Sequence, residues 1–269
     1  MQASGHDTPA GGGTVGDIRR MPGVRSPELD NTRTVEVYLP PSYRTSGRHY
    51  PVVYMHDGQN LFDARASFAG EWQVDETMER LAGEGIEAIV VAIPNMGPKR
   101  LDEYSPFPDA RHGGGLGEAY LSFIIDTLKP RVDRRYRTTP TREHTGIVGS
   151  SMGGLISLYA FLRHPQVFGF AGAMSPSLWF AGRALLEFAR QAPRWTGRLY
   201  LDAGTEEGAR TLSDARTAAR LLRRKAVRSR GHVLYVEDPG GRHEEAAWAS
   251  RFEYAVRFLL PRRRGDVNW

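Results

Sequence analysis

The 269-residue chain is 40% apolar and 25% charged, carries a formal net charge of +5 and has no cysteine. Its length suits one large α/β domain better than two small ones, and the missing cysteines exclude disulfides, thiolate catalysis and cysteine-held metals. No apolar run approaches the roughly 18 residues of a membrane span.

Residues 1–16 are rich in Gly, Thr and Ala without the apolar core of a secretory signal, so they read as a disordered leader on a cytoplasmic protein. Alternation in Thr14 to Val24 and Thr32 to Leu39 predicts an antiparallel hairpin at a sheet edge, turned by Ser26-Pro27-Glu28-Leu29-Asp30-Asn31. Tyr50 to Met55 and Ala88 to Ile93 are short apolar runs of the kind that strands buried on both faces need. Helical spacing from Trp72 to Leu81 separates them. Asn95 to Gly115, long and rich in Gly and Pro, reads as a functional loop rather than a connector.

An amphipathic helix over Gly117 to Val132 follows, then a strand over Gly146 to Val148 and a helix stopped at His164-Pro165. Strands at Phe168 to Met174, Arg198 to Asp202 and His232 to Val236 then alternate with helices at Ala184 to Arg190, Ser213 to Ala226 and about Glu244 to Leu260. This alternation argues for one α/β domain over residues 17–260: a mostly parallel central sheet with an antiparallel N-terminal edge hairpin and helices on both faces. Active sites in such sheets lie beyond the carboxyl ends of the strands. Two basic clusters, Arg220 to Arg230 and Arg262-Arg263-Arg264, lack aromatic interleaving or a groove-reading motif. They read as a solvated helix face and a basic tail over residues 261–269, not as a nucleic-acid surface. Arg264-Gly265-Asp266 in that tail is taken as coincidence.

The strongest chemical signal is His144-Thr145-Gly146-Ile147-Val148-Gly149-Ser150-Ser151-Met152-Gly153-Gly154. Gly149-x-Ser151-x-Gly153 sits between a β-branched run and an apolar helix, where the pattern means a nucleophile elbow rather than an ordinary glycine-rich connection. Such a turn lifts the Ser151 hydroxyl off the sheet, beside a helix N-terminus and the N–H of Met152 that would stabilise an oxyanion. Serine is inert until a base takes its proton. His243 has the right position, after a late strand and the flexible Pro239-Gly240-Gly241, at the start of the last helix. His6, His49, His112, His164 and His232 sit in the leader, loops or strand edges. An acid lying between Ser151 and His243 must orient the imidazole. The loop after Leu201 offers Asp202, which suits a local cap, and Glu206 and Glu207, which these residues by themselves do not separate.

Four motifs in order now stand together: Val53-Tyr54-Met55-His56-Asp57-Gly58-Gln59-Asn60-Leu61-Phe62-Asp63, the elbow Gly149 to Gly154, Leu201-Asp202-Ala203-Gly204-Thr205-Glu206-Glu207 and Gly241-Arg242-His243. With them the chain resembles, from about Arg33 to Leu260, the putative esterase family, with its feruloyl and acetylxylan esterases, enterochelin esterases, S-formylglutathione hydrolases and mycolyltransferases. The resemblance implies an α/β-hydrolase fold and a Ser–His–acid hydrolase without cofactor. It matches Ser151 to the nucleophile and His243 to the base. Glu207, three residues after the loop glycine, matches the acid. Many relatives carry Asp there, so the longer Glu needs a slightly different loop.

The resemblance also implies an oxyanion hole made by the N–H groups of Gln59 and Met152. His56 then reads as structural, with no metal implied. Arg100 and Glu103 before Tyr104 match an Arg-x-x-Glu-Tyr pattern, read as loop-ordering first and substrate-contacting second. Trp72, Tyr104, Phe107 and Trp179 gather in loops at the same sheet end, either lining a pocket for an aromatic or acyl group or packing over the sheet as a lid. The expected activity is hydrolysis of small-molecule carboxylic esters through an acyl-enzyme. An S-acylglutathione thioesterase or acyltransferase would use the same triad, and the presence of all three residue types argues against a non-catalytic binding module. No nucleic acid or membrane is expected as a partner, and the oligomeric state has no readable signal.

Overall fold

In a computed structural model, residues 13–67, 69–228 and 230–260 are described. Most of the expected leader and the whole basic tail with its Arg-Gly-Asp lie outside the described residues. Strands β1 (Asp17–Ser26) and β2 (Asn31–Leu39) form the antiparallel hairpin read from their alternation, with Asp17 opposite Leu39 and Ser26 opposite Asn31. The register shifts between Met21 and Val24, where Gly23 takes φ +64°. That bulge lets two residues three apart both point into the core.

The remaining strands are β3 (Val52–Met55), β4 (Ile89–Ala92), β5 (Thr145–Ser150), β6 (Phe170–Met174), β7 (Gly197–Gly204) and β8 (Gly231–Asp238). Their order in the sheet is β1-β2-β4-β3-β5-β6-β7-β8, and β4 to β8 are mutually parallel through β3. Every residue of β3, β4, β5 and β6 is buried, as unbroken apolar or small-residue runs require when both faces are covered. β7 pairs with β8 as far as Gly204 opposite Asp238, so Asp202 lies inside the strand rather than at its end.

Between the strands come α1 (Val74–Ala82), the single turn α2 (Arg100–Glu103), α3 (Gly117–Ser122), α4 (Lys129–Arg135), α5 (Met152–Arg163), α6 (Phe180–Gln191), α7 (Ala209–Val227) and α8 (Glu245–Leu259). The helix expected over Gly117 to Val132 is α3 and α4 joined through a π-helical turn, Phe123–Leu128. Pro130, which has no N–H for the ladder, follows just after the wider turn. Alternate strand residues divide the core. Tyr54 and Ile147 face α3, α5 and α6, while Val53 and Val148 face α1 and α8. The result is an α/β-hydrolase fold with helices on both faces of the sheet. No helix among the described residues is long and apolar enough to cross a membrane.

Candidate active site

Parallel strands β3, β5, β6, β7 and β8 finish at one edge of the sheet, and the residues just beyond them build the site. After β5 the chain turns sharply: Ser151 takes φ 56° and ψ −120°, and α5 starts at Met152. A Cβ on Gly149 would lie 2.8 Å from the His56 ring and 2.9 Å from the Gly153 backbone, which explains the glycine before the serine. The turn is tied to the end of β6 by Ser151 N–H donating to the Met174 carbonyl (3.0 Å) and Ser177 N–H to the Ser151 carbonyl (2.9 Å).

His243, carried after β8, places Nε2 2.9 Å from Ser151 Oγ and Nδ1 2.9 Å from Glu207 Oε2. Its side chain is 40% exposed, whereas the Glu207 side chain is fully covered. Burial works against the Glu207 carboxylate, yet bonds from His243, the Ser175 hydroxyl and the Gly204 N–H (2.7 Å) outweigh it and hold the group below its ordinary range. The other two acids of the β7 loop go elsewhere. Glu206 turns outward to Arg242 Nε (3.0 Å). Asp202 is buried and accepts from Ser175 N–H (2.8 Å), the Tyr200 hydroxyl (3.0 Å) and Arg251 Nε (2.9 Å).

Three groups in this network went unread in the sequence. Ser175, Trp248 and Arg251 converge behind Glu207: Trp248 Nε1–H (3.0 Å) and Arg251 Nη2–H (2.9 Å) both donate to Ser175 Oγ. The Trp248 ring also stands edge-on to His243, with centroids 5.0 Å apart. Nothing local marks Trp248 and Arg251, which sit in an ordinary amphipathic helix pattern. Ser175, first after a strand, offered a positional hint.

The β3 loop lies beside the elbow, since Met55 pairs with Val148. Its Asp57 sits in the left-handed region at φ 53° and donates its N–H to the Tyr104 hydroxyl (3.0 Å). The Asp57 carboxylate accepts Arg100 Nε (2.7 Å), Arg100 Nη2 (2.8 Å) and Asn95 Nδ2 (2.7 Å). Gly58 N–H donates to the Ile93 carbonyl (2.8 Å), and a Cβ on Gly58 would lie 2.6 Å from the Ala92 backbone, so this loop is pressed against the end of β4. Gln59 follows, its side-chain carbonyl accepting Asn95 N–H (3.2 Å). Met152, first residue of α5, brings an N–H for which a helix start has no acceptor of its own.

His56 is buried behind the elbow between Tyr104 and Tyr120, with Nδ1 2.9 Å from the Tyr120 hydroxyl. Burial pulls its pKa down to about 3, so the ring is neutral. The Arg-x-x-Glu-Tyr residues order the loop: Arg100 clamps Asp57, and Glu103 accepts Arg33 Nη2 (3.0 Å) and Nη1 (3.2 Å) in the interior.

The four loop aromatics do not share one location. Trp72 is packed in the core against Trp248 (5.9 Å) and Phe252 (6.1 Å). Tyr104 is fully buried, its hydroxyl engaged with Asp57. Both therefore lie off any pocket wall. Phe107 is half-buried against Tyr159 (5.6 Å), while Trp179 is 37% exposed and edge-stacked with His112 (5.4 Å).

Among the described residues, Glu71, Asp75 and Glu76 bring carboxylate oxygens within 4.8 Å of one another at the start of α1. Burial, reinforced by Glu76, lifts the Asp75 carboxyl well above its ordinary range, and its Oδ2 accepts Val15 N–H (2.7 Å).

The model of a family described as "Putative esterase" matches residues 26–259. An uncharacterised protein, YbbA, from Bacillus subtilis is 29% identical over 260 residues, 92% of this chain and 100% of that protein. The siderophore triacetylfusarinine C esterase of Aspergillus fumigatus is 30% identical over 147 residues, 52% of this chain and 48% of its own. Among solved structures, the enterobactin esterase FES from Shigella flexneri superposes with a TM-score of 0.74 at 19% identity, covering 90% of this chain and 59% of that one, a likeness of fold.

Proposed function

The chain belongs to the Putative esterase family and is an ester hydrolase, and from that premise we propose that it cleaves carboxylic esters through an acyl-enzyme on Ser151. The observation that carries this reading is the hydrogen-bonded line from Ser151 Oγ through His243 to Glu207, 2.9 Å at each step. Neutral His243, with its proton on Nδ1, takes the Ser151 proton at Nε2 as Oγ attacks the ester carbonyl. Glu207 accepts the Nδ1–H bond and balances the imidazolium charge. The carbonyl oxygen, now an oxyanion, is held by the N–H groups of Gln59 and Met152. Collapse of the tetrahedral intermediate expels the alcohol with the proton from His243. Water, deprotonated by the same imidazole, then attacks the acyl-enzyme and releases the acid.

Glu207 takes the acid's role in this reading because Glu206 is spent on an exposed pair with Arg242 and Asp202 on Arg251. The substrate class we infer is small esters with a flat aromatic acyl group. Trp179, 37% exposed, follows closely on Ser177, whose hydroxyl lies 3.2 Å from Ser151 Oγ. Of the proteins compared above, one is named a siderophore esterase and another an enterobactin esterase, which puts siderophore esters beside aromatic ones among the substrates to test.

A serine-directed phosphonate should label Ser151, and Ser151→Ala should lower kcat by about 10³-fold or more with the fold intact. Labelling at Ser150, Ser175 or Ser177 would sink the assignment. A panel of p-nitrophenyl esters of rising chain length, methyl ferulate, enterobactin and S-formylglutathione ranks the substrate classes. Fastest turnover of the thioester would move the protein to thioester hydrolysis on the same triad.

A further inference from the structure

We propose that Ser175 is a positioning residue for ester hydrolysis, acting through Glu207; this role rests on the triad reading above. Ser175 is fully buried and sits in the left-handed region at φ 41°, just past the end of β6. A hydroxyl has one proton and two lone pairs. Both lone pairs are taken, by Trp248 Nε1–H at 3.0 Å and Arg251 Nη2–H at 2.9 Å. The single proton is left for Glu207 Oε1.

That assignment decides the next bond. Oε1 receives both the Ser175 hydroxyl and the Gly204 N–H (2.7 Å), so Oε2 is the oxygen left to face His243 Nδ1. From Trp248 to Glu207 the donors run one way, indole N–H to Ser175 Oγ and Ser175 O–H to the carboxylate. Arg251 stands behind as the source of positive charge. Its Nη2 is 3.5 Å from Glu207 Oε1, while Nε and Nη1 are engaged by Asp202 and Asp238. Ser175 thus relays the field of a buried guanidinium onto the one carboxylate that touches the base. A bare structural role would require only that the hydroxyl satisfy Trp248 and Arg251; it would not require the proton to land on Glu207.

The test uses Ser175→Ala and Ser175→Gly, the second because glycine is at ease at this φ. Each is made in the native chain and in Glu207→Gln, and kcat, KM and Tm are measured on the fastest ester of the panel. In the native background kcat should fall about 10- to 100-fold with KM within twofold, as expected for a lost hydrogen bond to a charged group. In Glu207→Gln the same changes should move kcat less than about twofold, because two residues acting through one path are not additive. A lowered Tm with kcat unchanged in the native background would reduce Ser175 to a structural role and overturn the proposal. Equal kcat losses in both backgrounds would also overturn it, by placing the effect outside Glu207. Glu207→Gln with native kcat would instead overturn the triad reading itself.

Discussion

Arg100→Met should damage turnover more than it damages the fold. Arg100 grips Asp57 with Nε and Nη2 at 2.7 and 2.8 Å, and the two side chains are 27% and 11% exposed. Burial opposes the Asp57 charge, but the Arg100 bonds outweigh it and hold the carboxylate below its usual range. Without the guanidinium, Asp57 keeps Asn95 Nδ2 at 2.7 Å as its side-chain donor, at the left-handed turn from which Gly58 and Gln59 follow. Removing one partner of a fully buried pair costs about 3–5 kcal/mol, and partial solvation of Arg100 brings this to about 2 kcal/mol. For a domain of this size that corresponds to a Tm drop of roughly 4–8 °C. Deleting an oxyanion donor costs about 10²- to 10³-fold in kcat, so displacing one should cost about 10- to 100-fold. KM should change little, because the donor is used most in the transition state. Steady-state kinetics beside a thermal melt checks both numbers. A Tm loss of this size with kcat within twofold of native would refute the link from the clamp to Gln59.

Three further outcomes are expected. Glu207→Gln should lower kcat by about 10²- to 10⁴-fold with KM little changed, Glu206→Gln should stay within a few-fold, and Asp202→Asn should appear mainly as a lowered Tm through its lost pair with Arg251; a large kcat loss at Glu206 or Asp202 instead of Glu207 would reassign the acid. His56 is held neutral, its pKa down at about 3 from an ordinary 6.5, so the unfolded chain takes up a proton that the fold refuses. Stability from this group is present above pH 6.5 and lost on acidification, by up to about 1.4 kcal/mol per pH unit toward pH 3; urea melts between pH 4 and 6 should show a shallower slope for His56→Gln, and an unaltered slope would contradict the account. Trp179→Ala should raise KM for methyl ferulate by about 3- to 10-fold and leave p-nitrophenyl acetate nearly unaffected; equal changes for both esters would mean that Trp179 only packs its loop.

Alternating and unbroken apolar runs made all eight strands legible, because burial on one face leaves a period of two and burial on both leaves a short continuous run. Their order in the sheet was not: that β4 lies between β2 and β3 depends on crossover packing, which leaves no period. Ser151, Glu207 and His243 could be put forward from sequence and resemblance, and the fold brings them into hydrogen-bonding reach. Arg251 and Trp248 could not, since a helical arginine reads as solvated until the carboxylates across from it are known. Loop aromatics misled for the opposite reason. Trp72 stands just ahead of a helix and Tyr104 just after one, and both turn inward, one onto α8 and the other onto the Asp57 amide.

The dependence of the site on α8 also bears on how activity arises during synthesis. The elbow serine and the histidine are 92 positions apart, and the helix that props the acid follows later still. A ribosome adds about 5–20 residues per second, so several seconds pass between the appearance of the elbow and the arrival of α8. Through that interval the nascent chain holds a serine with neither base nor braced acid beside it. On the proposed triad, hydrolysis would begin only once α8 docks onto the sheet, so turnover would report the arrival of that helix.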